Sequence, residues 1–567
     1  MTGLGLLGIA CVVLGGAYLI YGRYLCKTWG IDPKAKTPAY EMEDGVDYVP
    51  AETQVVFGHQ FASIAGAGPI SGPIQAAVFG WVPVLLWILF GGVFFGAVQD
   101  FVAMYASVKN KGRTIGYIIE QYIGKMGKKL FLLFCWLFCI LVIAAFADVV
   151  ANTFVSNSDV VATNNANGAV ATTSCLFILE AVGLGLLLRY VKLNKWINTA
   201  IAIVLLVVGV AIGMALPLLG ISAGSWHFAI FVYILIASVV PVWALLQPRD
   251  YLNSYLLLFM IAAALVGIVV ANPSVNLPAF TSYYVEGTGS MFPILFVTIA
   301  CGAVSGFHSL VSSGTSSKQI KNEKDMLPVS FGAMLLESLL AVIALIAVAS
   351  FTNGTVGAAE LGYTTPSLIF AGGVATFLES IGAPYSVVFT LINLAVSAFA
   401  LTSLDSVARI GRLSFQELFL DAQTEDETMP LWRKVCTNKY FATVITLVFA
   451  YMLAKIGYAN IWPLFGSANQ LLSALALIAC AVFLKKTNRK GFMLWIPMCI
   501  MLGVTLTALS MTIYTKLIGL ITLTSTALAG DLLQLSFAIA LFALGVIVAV
   551  QGFQKLLQKD NTSDTVA

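Results

Sequence analysis

The sequence is dominated by apolar runs of about twenty residues, the length that an α-helix needs to cross a lipid bilayer. Of its 567 residues, 59% are hydrophobic and only 10% are charged, whereas a soluble domain carries about 25% charged residues. Inside a bilayer every backbone N–H and C=O group must find a partner within the protein, so such runs span the membrane as helices. The sequence therefore predicts an all-α, multi-pass membrane protein.

The alternation of apolar runs with loops rich in Lys and Arg predicts about fifteen transmembrane helices. Their predicted bounds are 3–22, 53–80, 82–107, 130–154, 172–189, 196–217, 227–246, 252–272, 291–316, 327–350, 386–406, 441–457, 461–484, 492–513 and 530–553. Basic loops such as 109–129 and 318–324 alternate with loops such as 273–290, which contains no Lys or Arg. Because positively charged loops stay in the cytoplasm, we predict an external N-terminus and a cytoplasmic C-terminus.

One predicted helix contains strong helix breakers in its centre. Residues 57–81 read FGHQFASIAGAGPISGPIQAAVFGW. Interior prolines remove helix hydrogen bonds and glycines add backbone freedom, so we predict an interrupted helix whose freed backbone groups face a cavity, an ion or a substrate. A helix kinked only for close packing is the alternative. The residues predicted here to contact a substrate are Gly66, Ala67, Gly68, Pro69, Ser71 and Gly72.

A second segment with an internal proline lies at residues 238–251, which read SVVPVWALLQPRDY. Pro241 interrupts the predicted helix 227–246 and again frees backbone groups. We therefore add Ser238, Pro241 and Trp243 to the predicted substrate contacts. Packing of Trp243 against lipid is the simpler alternative.

Several polar and ionisable side chains are candidates for coupling transport to an ion. In the predicted helix 291–316, spacing places Ser305, His308, Ser309, Ser312 and Ser316 on one face, with Ser313 beside them. Histidine titrates near neutral pH, and intramembrane ionisable groups are functional candidates, although a serine-rich face also suits helix packing. Glu337 is the best carboxylate candidate for a proton relay. The complete predicted coupling set is His59, Gln60, Ser63, His308, Ser309, Ser312, Ser313 and Glu337.

Asp405 and Arg409 stand four residues apart at the inner end of their helix and can pair as a gate or a structural salt bridge. Walker A, HExxH and Gly-x-Ser-x-Gly motifs are absent from the sequence. We therefore predict no enzymatic activity, no cofactor, no metal site and no nucleic-acid partner. The predicted partners are a small-molecule substrate and the lipid bilayer.

The motifs FGHQFASIAGAGPISGP, PVWALLQPRDYL, SGFHSLVSSGTSSK and IWPLFGSANQLL, together with the Asp405–Arg409 segment, cover the chain from about residue 54 to 475. In this set and order the chain resembles the carbon starvation A (CstA) transporters. Family members commonly carry two histidines where this chain has His59 and Gln60. The resemblance implies a carrier in the bacterial cytoplasmic membrane that takes up peptides or pyruvate. It also implies a LeuT-type core of two inverted five-helix repeats, in which the Pro241 helix is the counterpart of the helix at 53–80.

On this basis the chain divides into a peripheral segment at 1–52, a first repeat at 53–220, a second repeat at 221–415 and peripheral helices at 416–567. An external loop with a partly inserted helix is expected at 351–385. The expected function is secondary active import of peptides or pyruvate by alternating access, coupled to H⁺ or Na⁺, as in a carbon-starvation response. A Na⁺-coupled amino-acid symporter, a passive channel and a non-transporting membrane sensor are the alternatives.

Overall fold

The computed structural model describes residues 1–44, 48–156, 161–191, 194–240, 245–420, 430–522 and 527–558, and most of these residues are helical. The helices of the first half are α1 (Gly3–Gly16), α2 (Arg23–Trp29), α3 (Pro38–Glu41), α4 (Thr53–Ile64), α5 (Gly68–Ala76), α6 (Trp81–Gly91), α7 (Ala97–Lys109), α8 (Ile115–Tyr122), α9 (Lys125–Phe154), α10 (Val161–Tyr190), α11 (Lys195–Ala215), α12 (Ala223–Val239) and α13 (Leu246–Ala271).

The second half begins with a short antiparallel hairpin, β1 (Tyr284–Val285) and β2 (Gly289–Ser290), in which Tyr284 pairs with Ser290. The helices that follow are α14 (Met291–Thr298), α15 (Gly306–Gly314), α16 (Ala333–Ala349), α17 (Thr355–Glu360), α18 (Pro366–Glu379), α19 (Tyr385–Phe419), α20 (Leu431–Thr437), α21 (Lys439–Ala454), α22 (Tyr458–Lys486), α23 (Trp495–Ile521) and α24 (Leu528–Leu557). Single π-helical turns at Ala17–Gly22 and Gly92–Gly96 join α1 to α2 and α6 to α7.

Within the described residues, ten helices are long and apolar enough to cross a membrane, or up to eleven if the bent pair α20–α21 is one span. The prediction of an all-α, multi-pass membrane protein is confirmed, while the count of about fifteen spans stays a prediction. In the most apolar stretch of α19 and of α22, 89% and 100% of the residues are buried, whereas in that of α11 only 22% are buried. Helices α19 and α22 therefore lie at the centre, and α11 turns most of its surface toward lipid.

The predicted interruption of the helix at 53–80 is confirmed. Helix α4 ends at Ile64, and α5 begins at Gly68 with Pro69 in its first turn. In the first turn the missing proline N–H costs no helix hydrogen bond, so the proline starts α5 rather than disturbing it. The intervening residues 65–67 leave the helical path.

The predicted continuous helix at 291–316 is wrong. Helix α14 ends at Thr298 and α15 begins at Gly306, and Ser305 before it has an extended backbone. Ser305 is therefore not part of a helical serine stripe. The sequence at this break contains no proline, and the break is stabilised by hydrogen bonds from side chains of other helices, as described below.

The predicted helix 227–246 also ends early, at Val239, and α13 begins at Leu246 instead of 252. Pro241 and Trp243 lie outside the described residues. In the predicted loop at 351–385 the structure contains two helices, α17 and α18, and α18 packs against α5, α13, α16 and α19. The external position of this segment stays a prediction.

Candidate functional site

The most unusual feature of the interior is a histidine held between two carboxylates. His308 lies in the first turn of α15, Asp100 in α7 and Glu337 in α16. The Nδ1 atom of His308 is 3.2 Å from Asp100 Oδ2, and its Nε2 atom is 3.3 Å from Glu337 Oε2. All three side chains are 0% exposed. We refer to Asp100, His308 and Glu337 as the acidic-histidine cluster.

Burial makes the protonation state of this cluster chemically important. Two ionised carboxylates and one imidazolium would leave a net charge of −1 in the buried interior, which is costly without a further partner. Asp100 Oδ1 and Glu337 Oε1 have no hydrogen-bond partner within the described parts of the chain. One additional proton on a carboxylate would neutralise the cluster, so it is suited to bind and release a proton.

Two members of this cluster, His308 and Glu337, are in the predicted coupling set, but Asp100 was missed. It is the only charged residue between Trp81 and Val108. A lone acid in a membrane-spanning run is expensive and is a functional candidate by default. The same rule that selected Glu337 would therefore have found Asp100.

The predicted residues of α4 contact α15 and the turn that follows it. The Gln60 amide donates to Ser312 Oγ at 2.8 Å, and Ser316 Oγ donates to Gln60 Oε1 at 2.6 Å. His59 is exposed and its Nε2 lies 3.4 Å from Thr315 Oγ1. Gln60 therefore links α4 to α15 at a buried position. His59 contacts Thr315, which is not one of the residues around His308.

The remaining serines of the coupling set mostly satisfy their hydroxyls inside α15. Ser309 Oγ donates to the Gly306 carbonyl and Ser313 Oγ donates to the Ser309 carbonyl, both at 2.6 Å. Ser63 is buried in α4. These contacts match the packing alternative, because a hydroxyl bonded to its own helix needs no ligand.

The ends of α4 and α7 near this contact are held by ion pairs. Lys321 donates to the exposed Glu52 at the start of α4, which lowers the pKa of the Glu52 carboxyl. Lys109 at the end of α7 lies 2.5 Å from Glu323. Both ion pairs tie a helix end to the segment that follows α15.

A narrow cavity lies where the two broken helices meet, and it has room for no more than about one water molecule. Gly66 and Gly68 contribute from the first break and Cys301 from the second. Phe307 of α15 also lines it, and other helices contribute Phe138, Phe146 and Phe465, with Ser403 and Asn469 as polar members. Apolar walls with a few polar groups are typical of small-molecule sites.

The other predicted substrate residues lie around this cavity or away from it. Ala67, Pro69, Ser71 and Gly72 are buried at the start of α5 and are not part of the cavity lining. A methyl group on Gly72 would lie 2.7 Å from the Thr298 carbonyl oxygen, so α5 passes the end of α14 in backbone contact. The Ser238 carbonyl accepts a hydrogen bond from Arg412 at 2.7 Å, so Ser238 contacts an arginine of α19 at the end of α12.

Asp405 and Arg409 both contact the end of α12 or the start of α13. Asp405 Oδ2 accepts hydrogen bonds from Arg249 of α13 and Tyr233 of α12. Arg409 donates to the carbonyls of Ala237 at 2.6 Å and Val240 at 2.7 Å. Arg409 thus caps the last carbonyls of α12, and Asp405 has a partner that sequence spacing does not indicate.

A second histidine–carboxylate pair, which was not predicted, lies at the C-terminal end of α9 and the N-terminal end of α12. His227 of α12 is 2.7 Å from Asp148 Oδ1 of α9. The other carboxylate oxygen accepts from the Tyr458 backbone N–H at 2.5 Å, and Tyr458 Oη accepts from the Gln75 amide of α5 at 2.6 Å. This chain of contacts, which we call the α9–α22 network, links α5, α9, α12 and α22.

Among the described residues, no group of three or more His, Cys, Asp or Glu side chains has the arrangement of a metal site.

The chain matches the sequence profile of the family described as "Carbon starvation protein CstA" over residues 2–360 and 354–508. It is 32% identical to the "Pyruvate/proton symporter BtsT" of Escherichia coli strain K12, over 85% of this chain and 77% of that protein. It is 31% identical to the "Peptide transporter CstA" of the same strain, over 87% of this chain and 78% of that protein. The corresponding protein of Bacillus subtilis strain 168 is also 31% identical, over 85% of both chains.

Among solved structures, the chain is similar to a manganese transporter of Eremococcus coleocola, with a TM-score of 0.46 and 13% identity over 91% of this chain and 99% of that chain. A point mutant of the same transporter matches with a TM-score of 0.45 and 12% identity over 88% of this chain and 94% of that chain. The resemblance inferred from the motifs is confirmed by the family profile and by the relatives in sequence. The chain belongs to the carbon starvation protein CstA family.

Proposed function

We propose that this protein is a proton-coupled secondary transporter that imports a small carboxylate, pyruvate or a short peptide, across the cytoplasmic membrane. The relatives named above are a pyruvate/proton symporter and peptide transporters. The observation that carries the proposal is the acidic-histidine cluster, whose histidine lies on the same α15 that contributes Phe307 to the cavity.

The choice of a proton over Na⁺ rests on the chemistry of the cluster. The cluster consists of three ionisable side chains, and binding or loss of one proton changes its charge by one unit. Sodium is usually held by several oxygen atoms, including backbone carbonyls, whereas the two ring nitrogens here occupy the space between the carboxylates. Proton binding would neutralise the cluster, and this change would favour one arrangement of α15 over another.

The lining of the cavity suits a substrate with one anionic end and a small apolar part, which would enter once the cavity has opened. Helices α5 and α15 both begin at the breaks, and the N-terminal end of a helix favours a carboxylate. Gly68 and Phe307, in the first turns of these helices, line the cavity. The phenylalanine walls would contact the apolar remainder of the substrate.

For the architecture, we propose a LeuT-type core of inverted repeats with peripheral helices. The two helices with described central breaks are α4–α5 and α14–α15. With the Lys-rich loops inside, α4–α5 runs outward and α14–α15 runs inward, as inverted repeats require. Counted from α4–α5, the sixth span is α12, which precedes Pro241, so the second five-helix repeat would begin at α12 and α14–α15 would be its third helix.

Uptake into proteoliposomes tests the proposed function. Purified protein would be reconstituted and given labelled pyruvate or labelled dialanine, with a pH gradient or a Na⁺ gradient imposed separately. We expect accumulation above the external concentration with an alkaline interior and none with a Na⁺ gradient alone. Accumulation driven only by Na⁺ would refute proton coupling. Equilibration without accumulation would indicate a channel, and no movement of either substrate would favour a sensor.

A further inference from the structure

The segment between α14 and α15 is held in place by side chains from two other helices. Residues 299–305 leave the helix, and their backbone groups need replacement partners. Asn469 of α22 supplies several contacts at this break. Its Oδ1 accepts the Phe307 N–H at 3.1 Å, and its Nδ2 lies 3.0 Å from Ser305 Oγ and 3.5 Å from Cys301 Sγ. Asn469 thus caps α15 from outside, as an N-cap residue normally does from within.

The other side of the same segment is held from α7. The Gln99 amide donates to the Ser305 carbonyl at 2.7 Å, and Ser473 of α22 donates to Gln99 Oε1. Gln99 is adjacent to Asp100 of the acidic-histidine cluster. Ser305 therefore contacts Asn469 through its hydroxyl and Gln99 through its carbonyl, which fixes the segment between α22 and α7.

The position of this segment determines the geometry of the cluster. Ser305 is three residues before His308, and Phe307, whose N–H is bonded by Asn469, is adjacent to it. The distances from His308 to its two carboxylates, 3.2 and 3.3 Å, would be lost by a shift of about 1 Å in α15. Asn469 also lines the cavity, so a substrate that enters when the cavity opens would lie beside the amide that positions α15.

We propose that Asn469 is a positioning residue that couples occupation of the cavity to protonation of the acidic-histidine cluster. This inference rests on the proposed function. Substrate in the opened cavity would change the hydrogen bonds of the Asn469 amide. The first turn of α15, which this amide caps, would then shift and move His308 relative to its two carboxylates. The alternative is that Asn469 only holds helices together, as buried amides in membrane proteins often do.

The neighbouring Gln470 provides a matched control. It is also buried, and its Nε2 donates to the Phe296 carbonyl at 2.6 Å. That carbonyl belongs to the last turn of α14, so Gln470 contacts the helical part of the broken pair and not residues 299–305. Gln470 is also not part of the cavity lining. Loss of either amide removes a buried hydrogen bond, but only Asn469 contacts both the cavity and the capped end of α15.

The test measures two activities of Asn469→Ala, Gln470→Ala and the wild-type protein in proteoliposomes. Counterflow exchange of labelled pyruvate without a gradient requires only substrate binding and alternating access. Accumulation driven by an alkaline interior also requires coupling to the proton. We expect Asn469→Ala to lower accumulation about tenfold more than it lowers exchange. In Gln470→Ala the two activities should stay in their wild-type proportion.

Three outcomes would overturn the inference. If Asn469→Ala lowers exchange and accumulation in proportion while the wild-type protein accumulates substrate, the residue is structural only. If Asn469→Ala accumulates substrate as the wild type does, the amide has no part in coupling. Failure of the wild-type protein itself to accumulate substrate under the pH gradient would overturn the proposed function, and the coupling role of Asn469 with it.

Discussion

At the scale of single residues, the chemistry of the site depends on how many protons three buried side chains hold. Asp100, His308 and Glu337 are all excluded from solvent, and the imidazole lies between the carboxylates. The two acids differ in their contact with the imidazole, because Asp100 Oδ2 shares a hydrogen bond with His308 Nδ1 at 3.2 Å. Glu337 has fewer polar neighbours, since neither of its oxygens has a hydrogen-bond partner of good geometry among the described residues. We therefore expect Glu337 to be the carboxyl that carries the exchangeable proton.

The first prediction concerns Glu337→Gln, which mimics a permanently protonated carboxyl. The side chain at position 337 could then neither bind nor release a proton, so substrate exchange should continue while proton-driven accumulation falls by about tenfold or more. Proteoliposome counterflow and pH-gradient uptake measure the two activities. Ser338→Ala is the control, because Ser338 is the next residue in α16 and its hydroxyl bonds to the Met334 carbonyl of its own helix, at 3.1 Å. Normal accumulation by Glu337→Gln would refute the role assigned to this carboxyl.

The second prediction concerns Gln60, which links α4 to α15 and the turn that follows it. Its amide bonds to both Ser312 and Ser316, and all three side chains are buried. Gln60→Ala would leave two hydroxyls without this partner and should lower stability by about 1–2 kcal/mol. The midpoint of thermal unfolding in detergent checks this, with Gln54→Ala on the exposed side of α4 as the control. Equal midpoints for the two variants would contradict the prediction.

At the scale of elements, the two breaks have different origins. The break between α4 and α5 follows from local sequence, because Pro69 begins α5 and glycines precede it. The break between α14 and α15 has no proline, and it depends on Gln99 and Asn469, which are remote in sequence. Backbone groups paired by distant side chains leave no local pattern, so the sequence predicted a continuous helix there.

The same distinction explains which parts of the site were predictable. His308 and Glu337 could be found because ionisable groups are rare in apolar runs, and Asp100 satisfies the same rule. Their convergence could not be found, because it depends on how α7, α15 and α16 pack. The partners of Asp405 show this as well. Spacing indicated Arg409, whereas the structure supplies Arg249 and Tyr233 from the α12–α13 region.

The third prediction tests the contact between the two broken helices. A Cβ atom at Gly72 would lie 2.7 Å from the Thr298 carbonyl oxygen and 3.1 Å from Ile299 Cα. Both are backbone atoms, so Gly72→Ala should force α5 and α14 apart, at a cost of about 1–3 kcal/mol, and should lower pyruvate exchange. Gly58→Ala on α4 is the control, because a Cβ there has no neighbour within 4 Å among the described residues. Similar exchange rates in Gly72→Ala and Gly58→Ala would contradict this prediction.

At the scale of the whole molecule, polar contacts surround the cavity on two sides. On one side, the Gln60 contact joins the C-terminal halves of α4 and α15, and the ion pair of Arg249 with Asp405 links α13 to α19. On the other side lies the α9–α22 network, with His227, Asp148 and Tyr458. Alternating access requires that one of these sides opens while the other stays closed.

The orientation of the whole molecule decides which side faces the cytoplasm, and it gives the fourth prediction. Lys125 is exposed at the start of α9 beside a basic loop, and Glu286 is exposed in a loop without Lys or Arg. By the positive-inside rule Lys125 should be cytoplasmic and Glu286 external. In a functional background without the nine native cysteines, Glu286→Cys should react with a membrane-impermeant maleimide in intact cells, and Lys125→Cys only after the membrane is opened. The reverse pattern would place the Gln60 contact outside, and the α9–α22 network would then be the side from which substrate reaches the cytoplasm.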